Sequence, residues 1–388
     1  MDCDIAVVGG GMVGAAVALG FARAGFSVAV IEPHQPRPFE RGSAPDLRIS
    51  AISAASVKVL KSLEVWSDVL RMRCVPYRGL ETWEWPESLV SFRAEELGLS
   101  ELGFMLENDV LQLALWQHLQ TAPGVRLHAP AQLEQLSPAQ EGWQITLQGG
   151  EAFCARLVVG ADGANSRVRQ WAGIGLSGWE YRQSCMLVTV QTQEAPQDVT
   201  WQQFTPHGPR AFLPLWDNWA SLVWYDEPQR IRQLAAMPAP ALTQEIRKTF
   251  PSRVGGVTAV AAGSFPLVRR HADCYVRDGL ALVGDAAHTI NPLAGQGVNL
   301  GYRDAEALLA IVTEARNQGE AWYSEEILRR YQHRRRPDNL MMQAGMDLFY
   351  GTFSNNLPPL RLLRNVGLMA AQRAGVLKKQ ALKYALGV

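Results

Sequence analysis

The chain contains the sequence Ile5-Ala-Val-Val-Gly-Gly-Gly-Met-Val-Gly14, in which an apolar run leads into a glycine-rich turn. From Met12 to Ala24 apolar side chains follow at helical spacing, and a second apolar run, Val28 to Ile31, ends on Glu32. This order predicts a strand, a tight turn, a helix and a second strand that is closed by an acidic residue. The same order is the signature of a dinucleotide-binding βαβ unit.

In such a unit the first glycine makes the turn, the second lets a pyrophosphate approach the backbone, and the third lets the helix pack on the strand. The phosphates lie at the helix N-terminus, where unpaired N–H groups and the helix dipole favour anions. The acid about 20 residues later holds a ribose hydroxyl. A glycine-rich turn alone is weak evidence, but its context here favours a nucleotide site over a structural turn. The candidate cofactor-binding residues of this unit are Gly9, Gly11, Met12, Val13, Gly14 and Glu32.

Composition narrows the possible classes of protein. The 388 residues suit two domains with a substantial core, and the 37 basic and 37 acidic residues cancel, so no overall field favours nucleic acid. The five cysteines are scattered without a CxxC pair, which favours reduced thiols in a cytoplasmic protein and argues against a disulfide framework or a metal site. The first residues lack the basic region of a signal peptide, and no apolar run reaches the roughly 20 residues of a membrane span.

The middle of the chain differs in texture from the first part. Short alternating runs at 186–191, 201–204, 211–215 and 220–225 predict an antiparallel sheet with hairpins. Before them, the apolar run 155–159 leads into Gly160-Ala-Asp162-Gly163 and predicts a return to the first sheet. The nucleotide-binding domain is therefore predicted to be discontinuous, with a mostly β domain inserted into it.

A second glycine-rich signature follows the inserted region. The apolar run Leu280-Ala-Leu-Val283 predicts a buried strand that delivers Asp285 to its end, where a carboxylate can accept hydrogen bonds from sugar-like hydroxyls. The loop Pro292-Leu-Ala-Gly295-Gln-Gly297 then brings backbone close to a flat ring and starts a helix. The positive end of that helix is suited to the negative charge of a reduced flavin.

Taken together, these motifs resemble the single-component FAD-dependent aromatic hydroxylases of the p-hydroxybenzoate hydroxylase type. The ubiquinone-biosynthesis branch fits best, because Gly284-Asp-Ala-Ala-His288 and Gly295-Gln-Gly-Val-Asn-Leu-Gly301 match its signature. Further matching stretches extend over nearly the whole chain: Leu80-Glu-Thr-Trp-Glu-Trp85, Thr200-Trp-Gln-Gln-Phe-Thr-Pro206, Ala211-Phe-Leu-Pro-Leu215, Ser354-Asn-Asn-Leu-Pro-Pro359 and Lys379-Gln-Ala-Leu-Lys-Tyr-Ala-Leu386.

The resemblance implies an α/β fold: a Rossmann-like FAD-binding domain, an inserted antiparallel β substrate domain and a C-terminal helical tail. The expected FAD-binding domain comprises 1–75, 100–178 and 269–330, the substrate domain 76–99 and 179–268, and the basic helical region 331–388. The resemblance also implies a monooxygenase that uses FAD, O2 and NAD(P)H or another reductant. A flavin C4a-hydroperoxide would hydroxylate the ring of a polyprenyl methyl-methoxy-benzoquinol in ubiquinone biosynthesis.

Site residues follow from the resemblance position by position. Gly9, Gly11, Gly14 and Glu32 hold the ADP half of FAD, Arg48 reaches the pyrophosphate region, and Asp285 holds ribitol and phosphate. The flavin ring lies along the loop of Gly295, Gln296 and Gly297, and Asp162 and Pro292 belong to the same motifs. No proton-transferring side chain is predicted with the same clarity. His288 is the one candidate, although a histidine in this motif more often fixes the loop.

Three alternatives stay open: a sibling hydroxylase acting at another ring position, a flavin-dependent reductase of prenyl double bonds, and a non-catalytic scaffold of a quinone-biosynthesis complex. The complete flavin motifs argue against the scaffold.

The C-terminal region is unevenly charged. From Arg329 to Val388 eleven Lys or Arg residues face two acids. The region is either a solvated helix face packed on the main body or an element attracted to anionic lipid or to an acidic partner. The expected location is accordingly the cytoplasm, with peripheral contact at the inner face of the cell membrane and with other ubiquinone-biosynthesis proteins as partners.

Overall fold

The computed structural model describes residues 1–291, 295–355, 357–375, 378–380 and 382–383. The strands are, in chain order, β1 (Cys3–Val8), β2 (Val28–Ile31), β3 (Ile49–Ser53), β4 (Val75–Tyr77), β5 (Gly79–Trp83), β6 (Val90–Arg93), β7 (Gly103–Glu107), β8 (Val125–His128), β9 (Leu133–Pro138), β10 (Trp143–Leu147), β11 (Ala152–Gly160), β12 (Leu176–Thr192), β13 (Val199–Gln203), β14 (Arg210–Pro214), β15 (Trp219–Asp226), β16 (Val257–Ala272), β17 (Val276–Arg277), β18 (Leu280–Leu282) and β19 (His288–Thr289).

The α-helices are α1 (Met12–Arg23), α2 (Ala54–Ser62), α3 (Trp66–Met72), α4 (Asn108–Thr121), α5 (Arg167–Trp171), α6 (Pro228–Ala235), α7 (Ala239–Thr249), α8 (Gly297–Asn317), α9 (Glu325–Phe353) and α10 (Pro358–Arg373). Among the helices of the described ranges, none combines the length and the apolar character that a membrane crossing requires.

The first sheet has the order β17-β18-β11-β1-β2-β8, with the β9–β10 hairpin added to β11. Its central strands β18, β11, β1, β2 and β8 pair in parallel. The side chains of β2 and nearly all of those of β1 are buried on both faces, as expected for a parallel sheet covered by helices. The strands of this sheet come from three separate parts of the sequence, 3–31, 125–160 and 276–282.

The second sheet has the order β19-β16-β12-β15-β14-β13-β5-β6 and is mainly antiparallel. One face buries Met186, Val188, Leu222 and Trp224 against α6 and α7. Alternation places the opposite side chains of the same strands in a separate cluster that includes Cys185. The expected boundaries at 178/179 and 268/269 fall inside β12 and β16, two long neighbouring strands of the second sheet.

A small third sheet has the order β3-β7-β4, and in the chain β5 and β6 of the second sheet lie between its strands β4 and β7. The long helix α9 packs on α8 and carries Pro337 in its interior. Helix α10 then contacts α9, β6 and the short 3₁₀ turn Pro86–Ser88. Thus the predicted combination of a nucleotide-binding α/β sheet, an inserted antiparallel sheet and C-terminal helices is confirmed.

Candidate functional site

The turn between β1 and α1 is built on close backbone approach. Gly9 has a φ of 100°, in the left-handed region, and a Cβ at this residue would lie 2.4 Å from the carbonyl oxygen of Ala161. A Cβ at Gly14 would lie 1.9 Å from the carbonyl oxygen of Gly9. Only glycine fits either position, so the turn and the first helical turn are pressed against the end of the sheet.

Gly11 differs from both, because a Cβ there would meet nothing within 4 Å. It is the N-cap residue of α1, and no side chain in the described part of the chain caps this helix. The backbone N–H groups of the first turn of α1, including those of Met12 and Val13, therefore lie where an anion can bind them.

Glu32 is fixed at the end of β2 by two backbone groups. The Gly10 N–H donates to its Oε2 at 2.6 Å, and the His34 N–H donates to its Oε1 at 3.1 Å. On the other side of the turn, Trp116 Nε1 and Gln112 Nε2 donate to the Gly10 carbonyl oxygen at 2.7 and 2.9 Å. Gly10, which the GxGxxG spacing leaves unspecified, thus orients the acid relative to the turn.

Asp285 lies in a 3₁₀ turn, Gly284–Ala286, that follows β18. Its side chain is exposed to solvent, yet many protein atoms surround the carboxyl group and raise its pKa above the ordinary value; the positive charges of His288 and Arg48 act in the opposite direction. The carboxyl group is thus accessible to solvent although protein atoms surround much of it. The charge of Arg48 thus acts on a predicted site residue that lies far from it in the sequence.

Below this turn lies a buried ionic network centred on Asp304 of α8, which has no exposed surface. Asp304 accepts hydrogen bonds from the Gly284 N–H at 3.1 Å, His288 Nε2 at 2.5 Å, Arg335 Nε at 2.8 Å and Asn339 Nδ2 at 3.1 Å. Burial alone would raise the pKa of Asp304, but His288 and Arg335 lower it to about 2. The network joins the turn that presents Asp285 to helices α8 and α9.

His288 is therefore located beneath the candidate site and is 1% exposed. Its bond to Asp304 fixes the imidazole within the protein interior. This position fits the loop-fixing role that such a histidine usually has, rather than proton transfer to a substrate.

The start of α8 is tied to β3 by the buried side chain of Asn299. Its Nδ2 donates to the carbonyl oxygens of Ala51 at 2.9 Å and Gly295 at 3.2 Å, and its Oδ1 accepts from the Ser53 N–H at 2.9 Å. These bonds hold the Gly295-Gln296-Gly297 loop beside the strand that follows Arg48. Pro292, the remaining predicted residue of this loop, lies outside the described residues.

Asp162 follows β11 and accepts hydrogen bonds at the start of the short helix α5, whose N-cap residue is Ser166. Its Oδ2 accepts from the N–H groups of Arg167 at 2.7 Å and Val168 at 3.1 Å. Burial raises the pKa of Asp162, and these hydrogen bonds partly oppose the shift. The observed contacts of Asp162 thus stabilise the start of α5. Asp162 also lies next to the Gly9 turn, because the preceding residue, Ala161, is packed against Gly9.

The face of the second sheet that α6 and α7 leave uncovered is turned toward the same loop. Tyr225 Oη donates to Asn291 Oδ1 at 3.2 Å, and burial raises the pKa of Tyr225 well above its ordinary value. Asn291 directly precedes Pro292 in the sequence, so this bond connects the sheet to the start of the glycine loop. Partly buried Leu187, Val223 and Phe265 extend this face. A neutral phenol and apolar side chains suit a flat, weakly polar ring.

The sequence did not reveal the network that supports the site. Arg335 lies within the run Arg334-Arg335-Arg336, which has the composition of a solvated helix face. Asp304 lies within an ordinary helical segment. A signal does exist at the start of the GxGxxG unit, where Gly10 is the middle one of three consecutive glycines and a Cβ there would lie 2.7 Å from the Trp116 ring. The burial of Arg335, in contrast to its neighbours in the run, depends on contacts with residues that are distant in sequence.

The arrangement fits a dinucleotide such as FAD. A helix N-terminus is open to phosphate, the carboxylates of Glu32 and Asp285 can accept hydrogen bonds from hydroxyl groups, and a second helix begins beside the glycine loop.

Comparison with known proteins agrees with this chemistry. Residues 2–343 match the family model described as FAD binding domain. The chain is 64% identical to the 3-demethoxyubiquinol 3-hydroxylase of Escherichia coli over 99% of this chain and 98% of that protein. It is 36% identical to the ubiquinone hydroxylase UbiL of Rhodospirillum rubrum over 99% of this chain and 89% of that protein.

Among solved structures, the p-nitrophenol 4-monooxygenase PnpA from Pseudomonas putida superposes with a TM-score of 0.81 over 99% of this chain and 98% of that chain. At 19% sequence identity this likeness concerns the fold alone. Because the family model and the hydroxylase relatives both span most of the sequence, the chain belongs to this family of FAD-dependent monooxygenases.

Proposed function

We propose that this chain hydroxylates the ring of 3-demethoxyubiquinol, a polyprenyl methyl-methoxy-benzoquinol, in ubiquinone biosynthesis. The observation that carries the proposal is the 64% identity, over almost the full length, to a protein named for this reaction. The geometry supports it, because the β1–α1 turn and the turn that carries Asp285 lie close together: a Cβ at Gly284 would lie 3.5 Å from Val13 Cγ1. When bound, FAD supplies the activation of O2 and the transfer of the hydroxyl group, with electrons from NAD(P)H or another reductant.

The chain contributes binding and orientation. The Gly9–Gly14 turn and Glu32 hold the ADP half, Arg48 neutralises the pyrophosphate region, and Asp285 accepts hydrogen bonds from the ribityl hydroxyls. The N-terminus of α8, with Gly295, Gln296 and Gly297, stabilises negative charge on the ring system. Asp162 and His288 support the two turns from below.

The face of the second sheet opposite α6 and α7 is the proposed position of the quinol ring. Leu187, Val223 and Phe265 exclude water from the reacting ring, and Tyr225 keeps its proton because burial raises its pKa. The apolar character of this face matches a methyl-methoxy ring with a prenyl substituent better than it matches a charged aromatic acid.

We propose the following domains. The FAD-binding domain comprises 1–75, 100–178 and 269–330, and the substrate domain comprises 76–99 and 179–268. Residues 331–388 form a basic helical region. The proposed setting is the cytoplasm, in a complex with other ubiquinone-biosynthesis proteins. The prenylated substrate and the basic region together favour peripheral contact with the inner face of the membrane.

Quinone profiling by mass spectrometry in cells that lack this gene tests the proposal. We expect the demethoxy quinone to accumulate and to disappear on complementation with the wild-type chain, but not with Asp285→Ala. Glu141→Ala, a change at an exposed acid in a loop remote in sequence from both glycine motifs, is the matched control and should restore ubiquinone. Accumulation of a less hydroxylated precursor would assign the chain to a sibling step, and a normal ubiquinone pool would contradict the proposal.

Oxygen consumption by the purified protein distinguishes a hydroxylase from a flavin-dependent reductase of prenyl double bonds. Uptake of O2 that depends on the quinol is expected of the hydroxylase. Reduction of prenyl double bonds without O2 uptake would indicate the reductase, and an absence of bound flavin would indicate a scaffold.

A further inference from the structure

Helix α10 buries charged and polar side chains and exposes most of its large apolar ones. Its inward face carries Arg364 and Asn365, which are 5% and 0% exposed, beside the buried Leu368. Leu362, Leu363 and Val366 on the opposite face are 56%, 68% and 47% exposed. A helix that only covers a protein core turns its apolar stripe inward and its charges outward. The orientation of α10 therefore calls for a second apolar environment outside the molecule.

The inverse orientation is fixed by a buried acid. Glu84 accepts from Arg364 Nε at 2.6 Å and Nη2 at 2.5 Å, and from Asn365 Nδ2 at 2.6 Å. Arg361 adds a bond to the same carboxylate at 3.2 Å. Because these bonds satisfy the charged side of the helix within the protein, rotation of α10 to bury its leucines would leave Glu84 without its partners.

The exposed apolar surface continues onto the end of α9. Leu348 and Phe349 are exposed there, and a groove of about 410 Å³ opens between α9 and α10 beside Leu348, Leu360 and Leu363. Such a contiguous apolar patch on the surface marks an interaction site rather than scattered exposed residues.

The surrounding charges indicate which partner fits. After Asp347 the chain has no Asp or Glu, but it has six Lys or Arg residues: Arg361, Arg364, Arg373, Lys378, Lys379 and Lys383. Of these, Arg373, Lys379 and Lys383 are exposed. Protein interfaces are depleted of lysine, whereas leucines flanked by lysine and arginine are the composition of helices that lie in the surface of an anionic bilayer.

We propose that the outward face of α10, with the end of α9, inserts its leucines into an anionic phospholipid surface. Leu362, Leu363 and Val366 enter the acyl boundary, and the exposed cations contact the phosphates. The proposal rests on the peripheral membrane location proposed above and names the surface that would make the contact. Arg335, which supports the flavin turn, and Leu348 lie on the same helix, about 20 Å apart at the usual rise per residue.

Flotation of the purified, FAD-loaded protein with vesicles of phosphatidylethanolamine and phosphatidylglycerol tests the proposal. The variant carries Leu362→Gln, Leu363→Gln and Val366→Gln. The matched control carries the same three kinds of change at Leu70, Leu176 and Val260, which are exposed elsewhere on the molecule. We expect wild type and control to float, and the variant to bind at least about tenfold more weakly. Flavin absorbance and circular dichroism verify that all three proteins are folded.

Two further measurements distinguish insertion of the leucines from a purely electrostatic contact and from self-association. If Lys379→Glu with Lys383→Glu abolishes binding but the leucine variant binds like wild type, the basic residues alone make the proposed membrane contact and the inference on α10 is wrong. If wild type does not float and sedimentation shows an oligomer that the leucine variant dissolves, the face is an interface between copies. Turnover of a short-chain, water-soluble quinol reports on the proposed reaction separately, because it needs no vesicle.

Discussion

Asp304 is the residue on which the flavin turn depends most directly. It holds the Gly284 N–H and His288 from one side and Arg335 and Asn339 from the other, without any exposed surface. A carboxylate in this position compensates the buried guanidinium of Arg335. Removing its charge therefore leaves that guanidinium without a full partner in the protein interior.

We predict that Asp304→Asn lowers the free energy of unfolding of the apoprotein by about 3 kcal/mol, the usual cost of breaking a buried ion pair from one side. Its affinity for FAD should also fall, because the turn that presents Asp285 is no longer held. Urea denaturation and flavin-fluorescence titration measure the two effects. Glu306→Gln, at an exposed position of the same helix, is the control and should change neither. An Asp304→Asn protein with wild-type flavin affinity would mean that the network does not position the flavin turn.

His271 is a second buried residue with a defined protonation state. Its Nδ1 pairs with Gln343 Oε1 at 2.8 Å and its Nε2 with Tyr275 Oη at 3.3 Å, so the neutral ring donates to the amide oxygen and accepts from the phenol. Burial is the main cause that lowers the pKa of His271 to about 4. Protonation would remove the acceptor on which Tyr275 depends.

The sign of the resulting pH dependence follows from the lowered pKa. Well above pH 6.5 both folded and unfolded forms hold a neutral His271. As the pH falls through 6.5 toward 4, mainly the unfolded form gains the proton, and stability is lost. For a shift from 6.5 to about 4 this loss is about 3 kcal/mol. We predict that wild type loses this much more free energy of unfolding between about pH 7 and pH 4 than His271→Gln, measured by urea denaturation. Parallel pH profiles for the two proteins would contradict the prediction.

At the scale of elements, the β1–α1 turn contains one glycine that the fold requires and another that is available for binding. Gly14 has no room for a Cβ, whereas Gly11 has open space and an extended backbone that any residue adopts. We predict that Gly14→Ala destabilises the apoprotein by about 1 to 3 kcal/mol, because the helix must move away from the strand. Gly11→Ala should leave the thermal unfolding of the apoprotein unchanged and weaken FAD binding. Equal effects of both changes on the apoprotein would contradict this division.

Helix α10 is attached to the body through the buried carboxylate of Glu84. Burial alone would raise the pKa of Glu84, but the hydrogen bonds and the charge of Arg364 lower it below its ordinary value. We predict that Glu84→Gln speeds amide hydrogen exchange across Pro358–Arg373 while the first sheet keeps its protection, since only the local docking is lost. Glu87→Gln, at the exposed position of the adjacent turn, is the control. Combining Glu84→Gln with Arg364→Met should restore part of the protection, because no charge is then buried alone.

For the whole molecule, the sequence was informative wherever a local pattern has one structural meaning. Apolar runs followed by glycine-rich turns identified β1 and β18, and alternation identified the inserted sheet. Periodicity could not tell which side of α10 is buried, because the answer depends on Glu84, far earlier in the chain. For the same reason the arginine run of α9 gave no sign that Arg335 is internal: its partner Asp304 lies on another helix.

The candidate cofactor residues come from parts of the chain that are far apart in sequence, so FAD should act as a link between them. Gly11 and Glu32 lie near the beginning, whereas Asp285 and Gly297 lie toward the other end. A ligand that binds only the folded state stabilises it by RT ln(1 + [L]/Kd), or about 1.4 kcal/mol for each tenfold increase above Kd. We predict that the free energy of unfolding rises with FAD concentration at this slope in wild type, measured by urea denaturation. In Asp285→Ala the rise should begin only at higher FAD concentration, because the affinity is lower while the fold is kept. A stability of the wild-type chain that does not change with FAD would mean that the cofactor does not bridge the two turns.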